Sequence, residues 1–552
     1  MPKTYLNSLR IIMAVSLFAV GLFYELTSAL VSVVLFVWLV LLSRRQELGF
    51  RRNAASVTAI AVYIGYCVSI LWAVDKGLSV WGVAKYLPVP LMALCLLQTS
   101  SDERSTILKD LPWIGALMVV VSFALHYIPA LYSLFTSRDR LAGFFQYPNT
   151  FACFMLLGIE ILILNEEKIN VRRVLCALVL VFGLVQSGSR TVFVLAIPAL
   201  LVSLFIRLRK NPKALVIGAA AIVLAFAVMI LALGGSYSVS HLLALSASES
   251  TLLGRLLYWK DALPVIGNHP FGLGYLGYYM SHGSFQTGLY SVRWVHNELL
   301  QMLLDIGWIP TVIAIVAVVK AVAAKQPAVR KVVLLTLLAH CMMDFDLEYI
   351  AMYFILLVCL DWDTGKTKTV KLTVPVKAVA AVLVLGSLYI GVGSTLYYSG
   401  KVEASVKVYP WNTQARMELL TQAETAEEMD EQADAILALN DHIALAWDAK
   451  AEAAFGRGDF GAVIDDKNNA LANTKYIKGE YVDYFNKLAV GYQLYMQAGD
   501  TKSAQICLDE IIGIQDRIDR VLASTDELAW KITDKPYLVM PDEYNDFVEA
   551  HK

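Results

Sequence analysis

"RRVLCALVLVFGLVQSGSRTVFVLAIPALLVSLFIRLRK" (Arg172–Lys210) holds two apolar segments, 172–187 and 190–208, joined by the turn Ser187-Gly188-Ser189-Arg190. Basic residues close both outer ends, Arg172 and Arg173 on one side, Arg207, Arg209 and Lys210 on the other. A helix satisfies its own backbone in lipid and needs about 17–25 residues to cross. The stretch therefore predicts two short membrane helices joined by a tight hairpin.

Composition extends that reading to most of the chain. Of 552 residues, 57% are hydrophobic and 17% charged, with a mean hydropathy of +0.57; soluble domains carry about 25% charge. The net charge of −1 offers nothing to a nucleic acid. No small-residue cleavage site follows the first apolar segment, which is read as a retained span. The seven cysteines are scattered singly, and only Cys507 lies in the polar tail, so no disulfide framework or metal cluster is expected there.

Apolar segments recur at about 9–24, 26–42, 54–74, 80–98, 111–129, 146–164, 172–187, 190–208, 213–233, 298–320, 328–343, 347–361 and 374–397. The expected fold is all-α: a polytopic bundle of about thirteen spans. If the spans alternate, the loops "SRRQELGFRRN", "EEKINVRR", "RLRKNPK", "KAVAAKQPAVRK" and "TGKTKTVKLTVPVK" all fall on one side, with Lys3 and Arg10. The positive-inside rule makes that side cytoplasmic. The odd span count then places the tail outside the bacterial cytoplasmic membrane. The expected domains are 1–398, with a long external loop at 234–295, and an extracytoplasmic 399–552.

The tail is polar, Ala-rich and helical in period. Trp447, Ala451, Phe455, Gly458-Asp459, Ala462 and Ala470 follow a helix–turn–helix repeat, and "KLAVGYQLYMQAGDTKSAQICLDEI" supplies a second copy. The two Gly-Asp turns lie about forty residues apart, against about 34 in an uninterrupted tetratricopeptide array. Such repeats bind peptides or position protein partners.

External arginines break the charge bias and so invite a role. They are Arg138, Arg140, Arg190, Arg255 and Arg293. Arg190, in a small-residue turn at the membrane edge, offers a guanidinium fork beside backbone N–H groups, which suits phosphate. Arg255 is expected opposite an apolar stripe (Leu252, Leu253, Leu256, Leu257, Trp259, Leu263) on an interfacial helix. Pro148 and Asn149 mark an external helix start, Asn149 as its cap. Lys85 lies about one turn inside its span. "LLAHCMMDFDLEY" places His340 a turn inside and Asp344, Asp346 and Glu348 on the outer rim. In "RWVHNELLQMLLDIGW" (293–308), His296 and Asn297 open an apolar helix. His296 shares a stripe with Leu299, Leu300, Leu303 and Leu304, which turns it toward the bundle; Asp305 and Gly307 predict a break further along.

Clustered cations with an imidazole suit a lipid-borne diphosphate. Arginines would hold the leaving pyrophosphate, and His296 would take a proton from an acceptor hydroxyl, with no metal and no cofactor required. The D-x-D string Asp361-Trp362-Asp363 falls at the cytoplasmic end.

Arg140, Gly143 and "YPNTFA" (147–152), "SGSR" (187–190), "GRLLYW" (254–259) with "HPFGLG" (269–274), "HNELLQMLLDIGW" (296–308) and the pair His340 and Asp344 together resemble the O-antigen ligase and polymerase superfamily, over roughly residues 1–365. The resemblance implies a metal-independent membrane glycosyltransferase of the C-type fold. It would move a glycan from undecaprenyl diphosphate to a glycan, lipid or protein acceptor at the outer face. By motif, Arg190 and Arg255 match the diphosphate-binding arginines and His296 the acceptor-side histidine; Lys85, Arg138, Arg140 and Asp344 are weaker matches. Two other readings stay open at this stage: a transporter or flippase of lipid-linked sugars, and a membrane-anchored repeat scaffold for envelope assembly.

Overall fold

The structure is a computed structural model that describes residues 2–165, 170–232, 240 and 250–551. Residues 166–169 of one basic loop, residue 233, and 234–239 and 241–249 of the expected external loop lie outside the described residues. The described backbone is overwhelmingly helical. Its extended pieces are two short ribbons, Leu48–Arg51 with Thr367–Val370 and Thr136–Ser137 with Arg140–Leu141.

Among the described residues, seven helical stretches are long and apolar enough to cross a membrane: Glu25–Ser43, Ala54–Trp72, Lys76–Leu96, Ser101–Leu125, Arg190–Leu208, Pro212–Leu231 and Val374–Tyr398. Pro148–Leu164, Trp308–Ala323 and Ile350–Cys359 are shorter apolar helices. The distribution of polarity is that of a lipid-solvated protein. Ile197, Leu201, Val216 and Val223 are exposed, while Glu160, Asp305, His340, Asp344, Asp346 and Glu348 are buried. Lipid tails welcome the first group, and the second group finds polar partners inside the bundle. The protein is a multi-pass helical membrane protein.

Two expected spans are broken where the chemistry requires it. Pro88 lacks an N–H and starts a new helix, Pro88–Leu96, after Lys76–Tyr86. The span expected at 298–320 ends at Ile306 and restarts at Trp308, because Gly307 takes φ +77°, which few other residues tolerate.

The chain divides into two compact units. The first comprises Met1–Val68, Trp81–Ser246 and His296–Val392 and holds most of the membrane helices. The second comprises Ser69–Val80, Ala247–Val295 and Gly393–Lys552. In the second unit, Ala444–Gly456 with Phe460–Asn473 and Lys478–Gln497 with Thr501–Ala523 form two helical hairpins. Their turns are built alike. Gly458 and Gly499 adopt positive φ, and the N–H groups of Asp459 and Asp500 reach back to the carbonyls of Ala454 and Tyr495 at 3.0 and 2.9 Å. Each aspartate then caps the next helix through its side chain. Gly491 lets Phe460 close the gap between the hairpins, since a Cβ there would stand 2.5 Å from the ring.

Candidate functional site

The site of the first unit begins one residue before a helix. Asn297 caps Glu298–Ile306, its side-chain oxygen accepting from the Leu300 N–H at 3.1 Å while its amide donates to the Met342 carbonyl at 3.0 Å. His296 is therefore not on the helical stripe expected for it. It lies outside the helix with φ +52°, a left-handed conformation that histidine adopts more readily than most residues but still at a cost of about 1 kcal/mol or more. That turn aims the ring at Asp344, with Nδ1 3.1 Å from Oδ1, and sets it edge-on to Phe345. The His296 side chain keeps 22% of its surface exposed, whereas Asp344 has none.

Asp344 is a hub and not a rim residue. Its two oxygens accept from Tyr147 Oη at 2.9 and 3.1 Å, Asn149 Nδ2 at 2.7 Å and the Phe345 N–H at 3.1 Å, besides facing His296. Asn149 does not cap its helix. Pro148 occupies the first position of Pro148–Leu164, and the Asn149 side chain turns sideways to bridge Asp344 and Arg140. Arg140 donates from Nη2 to Asn149 Oδ1 at 2.9 Å and from Nε to the Ser187 carbonyl at 2.6 Å. Ser187 opens the turn in which Gly188 takes φ +58° and Arg190 begins the helix Arg190–Leu208. A continuous polar chain thus runs from His296 through Asp344, Asn149 and Arg140 to the turn that carries Arg190. Four segments distant in sequence supply it.

The other expected residues go elsewhere. Asp346 and Glu348, expected on the rim with Asp344, are also fully buried, because each has a partner inside the bundle. His340 Nδ1 is 2.5 Å from Asp346 Oδ2, and Thr150 donates to Oδ1 at 2.7 Å. Lys85 is paired to Glu348 at 2.6 Å, with Tyr86 donating to the same carboxylate and the Phe23 ring below the ammonium. A buried charge of either sign needs such a partner, and this lysine has spent its charge inside the protein. Arg138 stands exposed at the tip of the Thr136–Leu141 hairpin, where it and Asp139 both take positive φ. Asp363 of the D-x-D string is held by Arg104 at 2.5 Å.

Arg255 and Arg293 belong to the second unit. On the helix Ser250–Asn268, Arg255 is buried along with Leu257 and Asp261, while Leu256 and Leu263 of the expected stripe are exposed. The buried face is set by Asp261, which accepts from the Thr287 N–H, Thr287 Oγ1 and Tyr290 Oη, and by Leu257, packed with Tyr290, Ala529 and Ile532. Burial raises the Asp261 carboxyl above the usual range. Arg293 donates to Tyr398 Oη at 3.2 Å and stacks over Trp294.

One group went unseen in the sequence. Cys153, His340 and Asp346 each bring a ligand atom to within 4.8 Å of the others, fully buried, and could hold a metal ion. Their numbers share no motif spacing; only helix packing collects them.

Residues 175–315 match the family model described as O-Antigen ligase. The matched stretch contains Arg190, Arg255 and His296, and supports the superfamily resemblance that the motifs carry. Searches of curated proteins and of solved structures returned no match.

Proposed function

We propose, taking the O-antigen ligase match over residues 175–315 as the premise, that this membrane protein is a glycan transferase working from an undecaprenyl-diphosphate donor at the outer face of the cytoplasmic membrane. The observation that carries the reading is the His296–Asp344 pair and its polar connection to the Arg190 turn. An ionised Asp344 keeps the imidazole proton on Nδ1, so the Nε2 lone pair serves as the base. In the reaction the acceptor hydroxyl oxygen bonds to the sugar's anomeric carbon, its proton passes to His296 Nε2, and the anomeric carbon–oxygen bond to the diphosphate breaks. Asp344 offsets the charge that develops on the imidazolium, as carboxylates do in hydrolase triads. Arg190 neutralises the departing diphosphate, and Arg255 keeps the diphosphate role that the resemblance implies for it. The arginines do this work without a metal ion. The tetratricopeptide-like hairpins of the tail suit an acceptor or a protein partner.

Purified protein in nanodiscs, given the host's undecaprenyl-diphosphate glycan with chelator present, tests the proposal. Release of undecaprenyl diphosphate together with a glycosylated acceptor is expected; movement of the glycan across the bilayer with its diphosphate linkage intact would favour transport instead.

A further inference from the structure

Thr287 joins three segments of the second unit that lie far apart in sequence. Its N–H and hydroxyl donate to Asp261 at 2.9 and 2.6 Å, and its carbonyl accepts the Asp526 N–H at 2.9 Å. Asp261 belongs to the helix Ser250–Asn268 that carries Arg255, and Asp526 opens a strap of turns and bends, 526–533, late in the tail. The strap lies along that helix. Lys260 pairs with Asp526, Ala529 and Ile532 pack with Leu257 and Tyr290, and Thr533 donates through its N–H and hydroxyl to Ser250 Oγ at 2.8 and 2.9 Å. These contacts run from residue 250 to residue 261, with Arg255 inside the stretch they hold. Gly288 permits the close approach, since a Cβ there would stand 2.6 Å from Ala529 Cβ and 2.9 Å from Leu257. On both sides the strap is fixed to the body of the tail. The Thr525 hydroxyl meets Tyr476 Oη at 3.1 Å, and Leu538 and Met540 are buried with Tyr484, Phe485 and Tyr544.

We infer that the strap 526–533 is a clamp that positions Arg255 for the donor diphosphate, which makes Asp526, Ala529 and Ile532 positioning residues of the transferase. The inference rests on the diphosphate role proposed above for Arg255, and it gives the tail a task beside partner binding. Apolar contact carries most of the hold, because the Lys260 ammonium is largely exposed and a surface ion pair contributes little. A helix rises about 1.5 Å per residue, so a slip of one residue moves a guanidinium by more than a hydrogen bond to phosphate tolerates. Contacts on both sides of Arg255 remove that freedom before the donor arrives.

Ile532→Ala opens the clamp, and Ser250→Cys with Thr533→Cys can close it again, because their hydroxyls already touch and a disulfide spans that gap with little movement. With full-length protein in nanodiscs, Ile532→Ala is expected to raise KM about tenfold for the undecaprenyl-diphosphate donor, leave the acceptor KM unchanged and speed amide exchange over 250–262. Asp526→Ala, the milder cut, should raise donor KM about two- to threefold. Oxidising the cysteine pair in the Ile532→Ala protein should restore donor KM and slow exchange, and reductant should undo both; a merely misfolded variant would not recover through one cross-link. Unchanged donor KM, unchanged exchange, equal rises in both KM values, or no recovery on cross-linking would overturn the inference. Exchange that follows the cross-link in a protein whose parent releases no undecaprenyl diphosphate would leave the strap's hold on the helix standing and remove the transferase.

Discussion

Replacing Asp344 by asparagine removes one charge and almost no volume, and the structure says why it should be costly. Oδ1 receives His296 Nδ1, the Phe345 N–H and Tyr147 Oη, while Oδ2 receives Asn149 Nδ2 and Tyr147 Oη. An amide has one acceptor oxygen and one NH2. With the NH2 at the Oδ1 position it confronts the backbone N–H of Phe345, which cannot turn, and offers His296 a donor where it needs an acceptor. With the NH2 at Oδ2 it confronts Asn149, whose own amide can invert only by giving up Arg140. Losing a charge-assisted bond to the imidazolium costs about 1.5–3 kcal/mol, and a buried unpaired donor about 1–3 kcal/mol. About 3–4 kcal/mol of transition-state stabilisation is a rate loss of two to three orders of magnitude. Undecaprenyl diphosphate release by Asp344→Asn, against the parent at saturating donor, measures it, with size-exclusion profile and thermal midpoint confirming the fold. A folded variant within about threefold of the parent rate would refute the orienting role of the carboxylate.

Arg140→Gln cuts the link between Asn149 and the Ser187 carbonyl, so donor KM is expected to rise about tenfold with a smaller change in kcat; the reverse split would place Arg140 in the chemical step. Asp75 is buried, with the Leu78 N–H on its Oδ1 at 2.8 Å, and burial raises its carboxyl to about 6. Its folded pKa exceeds the unfolded value, so the stability it contributes is complete below the unfolded pKa and is lost as pH rises through about 6. That amounts to about 3 kcal/mol across the window. Parent thermal midpoints should therefore fall between about pH 4 and about pH 7, and Asp75→Asn, which keeps the oxygen for Leu78, should flatten the fall; equal slopes would exclude this carboxyl as the cause. Gly491→Ala forces a methyl onto Phe460 and should destabilise the tail by about 1–3 kcal/mol, read as faster limited proteolysis of the second unit, with the membrane helices unaffected.

What was legible in the sequence was whatever depends on local period and composition. Apolar runs between basic loops announced the helices, Gly307 announced the break, and the Gly-Asp pairs announced the two hairpin turns. The candidate site was half legible: His296, Asn149, Arg140 and Asp344 were each singled out by type and position. Their connection was not, because it depends on Asn297 capping in place of His296 and on Asn149 turning away from its own helix terminus. Lys85, a weaker match one turn inside its span, is paired by packing with Glu348 at 2.6 Å, a partner that no spacing along the sequence announces. Arg255 and the Cys153, His340 and Asp346 group depend on which helix faces pack together, and no spacing along a single chain encodes that.

In the proposed mechanism His296 takes the acceptor's proton while the diphosphate leaves. The measurement that tests it most directly is release of undecaprenyl diphosphate from the host's lipid-linked glycan by purified parent and His296→Ala proteins side by side, in nanodiscs with chelator. Steady release and a glycosylated acceptor are expected from the parent, and neither from a folded variant. Equal release by both proteins would contradict it.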